Sequence, residues 1–294
     1  MRTQWFLSIL ALLLVLTLSA CQNSAQPIAA QPAPAIDVAE MNEATFVATE
    51  YAYEGPQNIP GGWSRLTLDN QGKLPHDLIL ARLDEGKTLD DVMAALEAEG
   101  PPEWAQLYGS VTAEPSQSAS YVVKLTPGNY VLLSFGQVED GPPDAAQGMI
   151  ASLTVTEAQA EVAEADLPQA DAEINLADYT FVVNNEIEAG EQMLRVNNTG
   201  KELHEVVIYR LKEGVSMANF QALLEKDMNG EDTSAEEDLT FEYIMNTMIS
   251  PGVSMYMTLD FEPGNYVFVC HLPSPAHEMQ PHFALGMIQE VKVQ

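Results

Sequence analysis

Basic side chains are scarce in this sequence. Twelve Lys and Arg stand against 43 Asp and Glu, a formal net charge of -31. A surface of that sign repels nucleic acid and anionic lipid head groups, and it suits a basic partner. Cysteine is nearly absent, with two in 294 residues, so a disulfide framework is excluded. Only five histidines occur, and there is no His-x-His pair, CxxC pair or Gly-rich phosphate loop. The longest apolar run, Trp5 to Leu18, is too short to span a bilayer comfortably. What is plentiful is apolar residues, 46% of the chain, enough for packed cores in two ordinary domains.

The apolar run has a second reading. Arg2 precedes it, and Leu18-Ser19-Ala20-Cys21 closes it. That order resembles the signal segment and lipobox of bacterial lipoproteins. The resemblance implies that residues 1–20 are removed, that Cys21 carries lipid, and that the chain is tethered extracytoplasmically in a bacterial cell envelope. Residues 21–40, rich in Ala, Gln and Pro, read as the tether. With Cys21 lipidated, Cys270 has no partner within the chain, and a lone thiol in an exported protein needs a reason.

The remainder is a repeat. His76 opens HDLILARLDEG and His204 opens HEVVIYRLKEG. PGNYV follows at Pro127 and again at Pro263, and PDAAQGMI from Pro143 matches PHFALGMI from Pro281. Three blocks in the same order mark a duplicated domain, spanning 41–156 and 174–294 with a polar linker at 157–173 whose composition suggests freedom between the halves. Short alternating segments such as TFVVNN, SMYMTLDF and NYVFVCHL predict strands. One short helix is expected per half, capped at Thr88 in the first and following Val215 in the second. The expected class is all-β, a small antiparallel sandwich or barrel in each half.

The copies differ where chemistry is expected. Cys270 replaces Ser134, and His282 replaces Asp144, while His76/His204 and Met149/Met287 are kept. Two imidazoles, a thiolate and a thioether make the ligand set that suits copper in an electron-transfer site. The spacing is Cys270, eleven residues, His282, four residues, Met287. His277, Met279 and His271 on the same stretch are alternative or accessory ligands, and His277 could stand in for His282. His282 is preferred because Pro281 and Gly286 align it with Asp144 of the first copy.

The second half resembles the cupredoxins, the blue copper proteins of plastocyanin and azurin type. The resemblance covers both halves as folds and the ligands in the second half only. It implies two tandem Greek-key β-sandwiches and one type 1 copper cycling between Cu(I) and Cu(II). His204, Cys270 and His282 would be equatorial ligands and Met287 axial. It further implies single-electron exchange with envelope redox proteins, with no nucleic acid and no enzymatic turnover. A multicopper enzyme is disfavoured, because a trinuclear centre needs eight histidines. Copper storage, delivery or sensing without redox turnover is the alternative.

Overall fold

The computed structural model describes residues 41–95, 102–136, 142–158, 162–164, 167 and 169–294. The signal segment, Cys21 and the tether lie outside the described residues. Among the described residues, no helix is long and apolar enough to cross a membrane.

The first copy runs β1 (Asn42–Thr49), β2 (Ala52–Glu54), β3 (Asn58–Pro60), β4 (Gly62–Asn70), β5 (His76–Leu83), α1 (Leu89–Ala95), β6 (Ala105–Ala113), β7 (Ser118–Leu125), β8 (Gly128–Leu133) and β9 (Ile150–Thr156). The second runs β10 (Ala172–Ala177), β11 (Thr180–Asn184), β12 (Gly190–Asn198), β13 (His204–Leu211), α2 (Met217–Met228), α3 (Ser234–Thr240), β14 (Phe241–Ile249), β15 (Ser254–Phe261), β16 (Gly264–Val269), the two-residue strands β17 (Pro273–Ser274) and β18 (Gln280–Pro281), and β19 (Ile288–Val293). Each copy is a β-sandwich carrying helix at its side, the expected all-β class. Strand alternation places Phe46, Leu66, Leu68 and Tyr121 inside the first and Ile174, Leu194, Val196 and Phe268 inside the second.

Helix starts follow their predicted chemistry. Thr88 Oγ1 and the Thr88 amide both donate to the Asp91 carboxylate. Ser216 and Asn219 close a reciprocal box at the start of α2. The second copy departs from one helix per half by adding α3. Its sequence SAEEDLT has no buried residue and hence no apolar stripe to announce it. Lys226 of α2 holds it by an ion pair to Glu236.

The largest departure from expectation is the junction. The two copies share their sheets rather than hanging on a free linker. One sheet runs β11-β10-β12-β15-β7-β4-β1-β2, and the other runs β19-β16-β13-β14-β6-β5-β8-β9-β3. β7 pairs antiparallel with β15, with Tyr121 opposite Met257 and Val123 opposite Met255. β6 meets β14, with Tyr108 opposite Ile249. Side chains seal the seam: the Leu107 amide donates to Ser250 Oγ at 2.9 Å, and the Ser110 amide donates to Thr247 Oγ1 at 3.0 Å. Gly109 sits there at φ 121°, where a Cβ would stand 2.9 Å from Met255 Sδ and 3.0 Å from the Tyr121 ring, so only glycine fits. One apolar core runs through both copies, from Tyr108 and Val123 into Ile249 and Met255. Val162 and Leu167 of the polar linker are themselves buried against Trp63 and Tyr256.

Candidate metal centre

Four backbone positions at one end of the second sandwich frame the site. His204 is the first residue of β13, Cys270 follows β16, His282 opens a 3-10 turn after β18, and Met287 precedes β19. Main-chain bonds lock the last three together. The Cys270 amide donates to the Met287 carbonyl at 3.1 Å, the Phe283 amide to the Cys270 carbonyl at 2.9 Å, and the Met287 amide to the His282 carbonyl at 2.9 Å. Gly286 ends the turn at φ 117°, a left-handed conformation that glycine adopts freely.

All four side chains are fully buried. One ligand atom from each of His204, Cys270 and His282 lies within 4.8 Å of the others. The two Nδ1 atoms face one another at 3.0 Å, and Cys270 Sγ lies 3.3 Å from His282 Nδ1. The Met287 side chain is packed in the same core as Cys270. The other candidates lie elsewhere. His271 turns away, its Nε2 meeting the Tyr209 hydroxyl at 3.2 Å. His277 is exposed on the hairpin between β17 and β18, where its Nδ1 meets the Tyr179 hydroxyl at 2.9 Å, and Met279 is exposed on the same hairpin.

Two carboxylates that the sequence reading missed complete the arrangement. His204 Nε2 donates to Asp178 Oδ1 at 2.8 Å, and His282 Nε2 donates to Glu202 Oε2 at 3.0 Å. Each carboxylate therefore fixes the ring proton on Nε2 and leaves the Nδ1 lone pair pointing inward. Two lone pairs 3.0 Å apart need a cation or a proton between them. Burial lowers the pKa of both imidazoles, which keeps them neutral and available as ligands. Burial acts to raise Asp178 and Glu202 as well. Hydrogen bonds outweigh it, from the Lys201 amide and His204 onto Asp178 and from Tyr179 and His282 onto Glu202, and both carboxyls end below their usual range. The support is built in turn. Asn198 Nδ2 donates to the Glu202 and Ile249 carbonyls, holding the loop that carries Glu202. A Cβ on Gly200 would stand 2.6 Å from His204 Nε2 and closer still to Asp178.

The thiol is held protonated until a metal displaces the proton. Burial, with Glu205 and Glu202 nearby, pushes Cys270 up to about 12. The Glu205 amide points at Sγ from 3.5 Å, a donor suited to a thiolate. A buried set of two neutral imidazole nitrogens and one thiol, oriented by carboxylates, fits a soft or borderline ion such as copper.

The Glu205 carboxyl makes a stability prediction. Burial pushes it from 4.5 up to about 7, opposed by hydrogen bonds from the His271 and Leu272 amides. Its folded value lies above its unfolded one, so its contribution is fully present below about pH 4.5 and lost as pH rises through about 7. The loss is on the order of 3 kcal/mol for the metal-free protein. In urea titrations, Glu205→Gln should gain on the parent protein by about that amount between about pH 5 and about pH 8. A constant difference across that range would refute the assignment.

The first copy repeats the frame with the thiol and the second imidazole replaced. The Ser134 amide donates to the Met149 carbonyl at 3.3 Å, and the Met149 amide to the Asp144 carbonyl at 2.9 Å, as in the second copy. Yet His76 Nδ1 meets Asp144 Oδ2 directly at 2.8 Å, and Ser134 Oγ donates to the same oxygen at 3.0 Å. A hydrogen-bonded carboxylate there takes the role a shared ion would have.

No family model and no curated protein matches this chain. Among solved structures, reduced auracyanin from Roseiflexus castenholzii is 20% identical, covering 40% of this chain and 96% of its own at a TM-score of 0.28. Auracyanin A from Chloroflexus aurantiacus, a "blue" copper protein, is 14% identical, covering 40% of this chain and 99% of its own at 0.29. The blue copper oxidase from Nitrosomonas europaea is 15% identical, covering 86% of both chains at 0.25.

Proposed function

We propose that this protein is a copper-binding electron carrier of cupredoxin type, with one type 1 copper in its second sandwich held by His204, Cys270, His282 and Met287. The observation that carries the reading is the buried convergence of two Nδ1 lone pairs and the Cys270 sulfur. When bound, copper supplies a one-electron couple at an ion with mixed soft and borderline ligands.

The chain's own residues do the rest. His204 and Cys270 are fixed by separate strands, and Asp178 and Glu202 hold both rings in place, so the donors need not rearrange when the ion's charge changes. Complete burial keeps water off the thiolate. The Cys270 proton leaves on loading, since a thiol held near 12 must ionise to bind. The first sandwich serves as structural partner, its own pocket closed by the His76–Asp144 pair. Five histidines in all, four of them in the second half, support a carrier rather than a multicopper enzyme. Lipid on Cys21 would anchor the protein in a bacterial cell envelope, and the net charge of -31 suits transient docking to redox proteins with a basic face.

Titration of the metal-free protein with Cu(II) tests this. About one equivalent should bind at neutral pH with release of about one proton and growth of an intense thiolate-to-copper band. Colourless uptake would favour storage or delivery instead, and no uptake would leave a paired sandwich without metal chemistry.

A further inference from the structure

His282 has no path of its own to the surface. Its ring is fully buried, and its outward nitrogen is taken by Glu202. An electron reaching the site must cross whatever covers that ring. The cover is Tyr179, partly exposed, whose ring lies edge-on to His282 with centroids 4.9 Å apart and edge-on to His204 at 6.4 Å. On its other side Tyr179 meets His277, with centroids 5.0 Å apart and the hydroxyl 2.9 Å from His277 Nδ1. His277 is exposed.

We propose that Tyr179 and His277 form the electron port of this protein, an edge-to-face route from the ligand His282 to an exposed apolar docking tip made by Pro275, Ala276 and Met279. The proposal rests on the copper reading above. One electron passes from the bound ion to a one-electron acceptor, or back from a donor, with no covalent bond made or broken. The acceptor's chemistry follows from the surface: a redox protein whose basic rim meets the acidic chain around an apolar contact.

Three further observations support the port. The hairpin that carries His277 turns through Glu278 at φ 54° and Met279 at φ 62°, two successive non-glycine residues in the left-handed region. Such strain concentrates at functional sites, and here it aims the imidazole inward at Tyr179. Ser274, fully buried, bonds both His277 Nδ1 at 3.1 Å and Glu202 Oε1 at 3.1 Å, so the outer pair is tied to the carboxylate that orients the ligand. The duplication also discriminates. The first copy keeps Tyr51 in the place of Tyr179, but it has no histidine between Ser134 and Met149. His277 occurs only in the copy that also has Cys270 and His282.

A competing route runs from Cys270 to its neighbour His271 and on to Tyr209. There Tyr209 packs on Phe220 and Phe241 and meets the exposed Tyr243, but its ring steps are longer, 6.0 Å from His271 and 6.2 Å on to Tyr243, against 4.9 and 5.0 Å through Tyr179.

The test is the rate of oxidation of the reduced copper protein by a cationic cobalt(III) complex, with the blue band and reduction potential recorded for each variant and rates compared at matched driving force. His277→Ala, on an exposed turn, and Tyr179→Leu should each slow exchange about tenfold, equivalent to about 1.4 kcal/mol of barrier, with the band retained. Tyr179→Phe, which keeps the ring, should lose less. His271→Ala should exchange at the parent rate. Unchanged rates in His277→Ala and Tyr179→Leu, or a slowed His271→Ala, would overturn the port while leaving the copper site standing. Absence of the blue band in the parent protein would overturn the copper reading, and the port with it.

Discussion

Cys270→Ser should take up no copper as a blue species, and it should still fold. The sulfur supplies the one charged, soft donor among the ligand atoms, and a hydroxyl does not ionise to replace it. Survival of the fold follows from the first copy, where Ser134 sits fully buried in the same backbone frame. A serine at 270 would find the Glu205 amide and His282 Nδ1 as partners, which Cys270 Sγ already faces at 3.5 and 3.3 Å. The metal-free variant should therefore lose only about 1–2 kcal/mol of stability. With copper present the gap widens. Free copper at about a thousand times its dissociation constant stabilises the parent by about 4 kcal/mol, and the variant forfeits most of that gain. Absorption spectra and melting curves with and without Cu(II) check both statements. A blue Cys270→Ser protein would rule out the assigned thiolate.

Neutralising the carboxylates behind the imidazoles should raise the reduction potential. Asp178 and Glu202 each put a negative charge one ring away from the metal position and make the inward nitrogen a better donor. Both effects favour the doubly charged ion over the singly charged one. Asp178→Asn and Glu202→Gln should thus weaken Cu(II) binding about 10–100-fold each. If Cu(I) binding is spared, that loss equals a rise of about 60–120 mV in a one-electron couple. The two sites lie on different loops but share one ion, so the double variant should deviate from additivity. Voltammetry on the loaded variants measures the shift. A potential that stays put or falls would show that the carboxylates only position the rings.

The ligand order could be read from the chain because duplication supplies an internal control: Ser134 against Cys270 and Asp144 against His282 stand out on an otherwise shared frame. Strands and capped helices were legible for the usual reason, alternation and local hydrogen-bonding residues. Asp178 and Glu202 were not, since acidic residues are everywhere in this sequence and neither lies beside the ligand it holds, Glu202 being 80 residues from His282. One signal was present: Glu50-Tyr51 and Asp178-Tyr179 occupy matching places, and the Lys73 and Lys201 amides bond the two carboxylates alike. The seam was hidden for a different reason. β6, β7, β14 and β15 carry the ordinary alternation of sandwich strands, and nothing local says that an edge will find another edge. The linker misled in the opposite direction, its two buried apolar residues diluted among acidic ones.

That seam has a history written in its register. Tyr121 and Met257 hold the same place in their respective copies, six residues before the matching Pro127 and Pro263, and they face one another across β7 and β15. An antiparallel pair in which a position meets its own duplicate has a two-fold axis through it. Identical subunits meet in this way in a closed homodimer. The chain is thus built as a homodimer sealed into a single polypeptide. In a true homodimer both subunits change together, so neither can lose its metal alone. Fusion lifts that constraint: the halves are free to differ at matching positions, Ser134 and Asp144 in one and Cys270 and His282 in the other, while each completes the other's sheets.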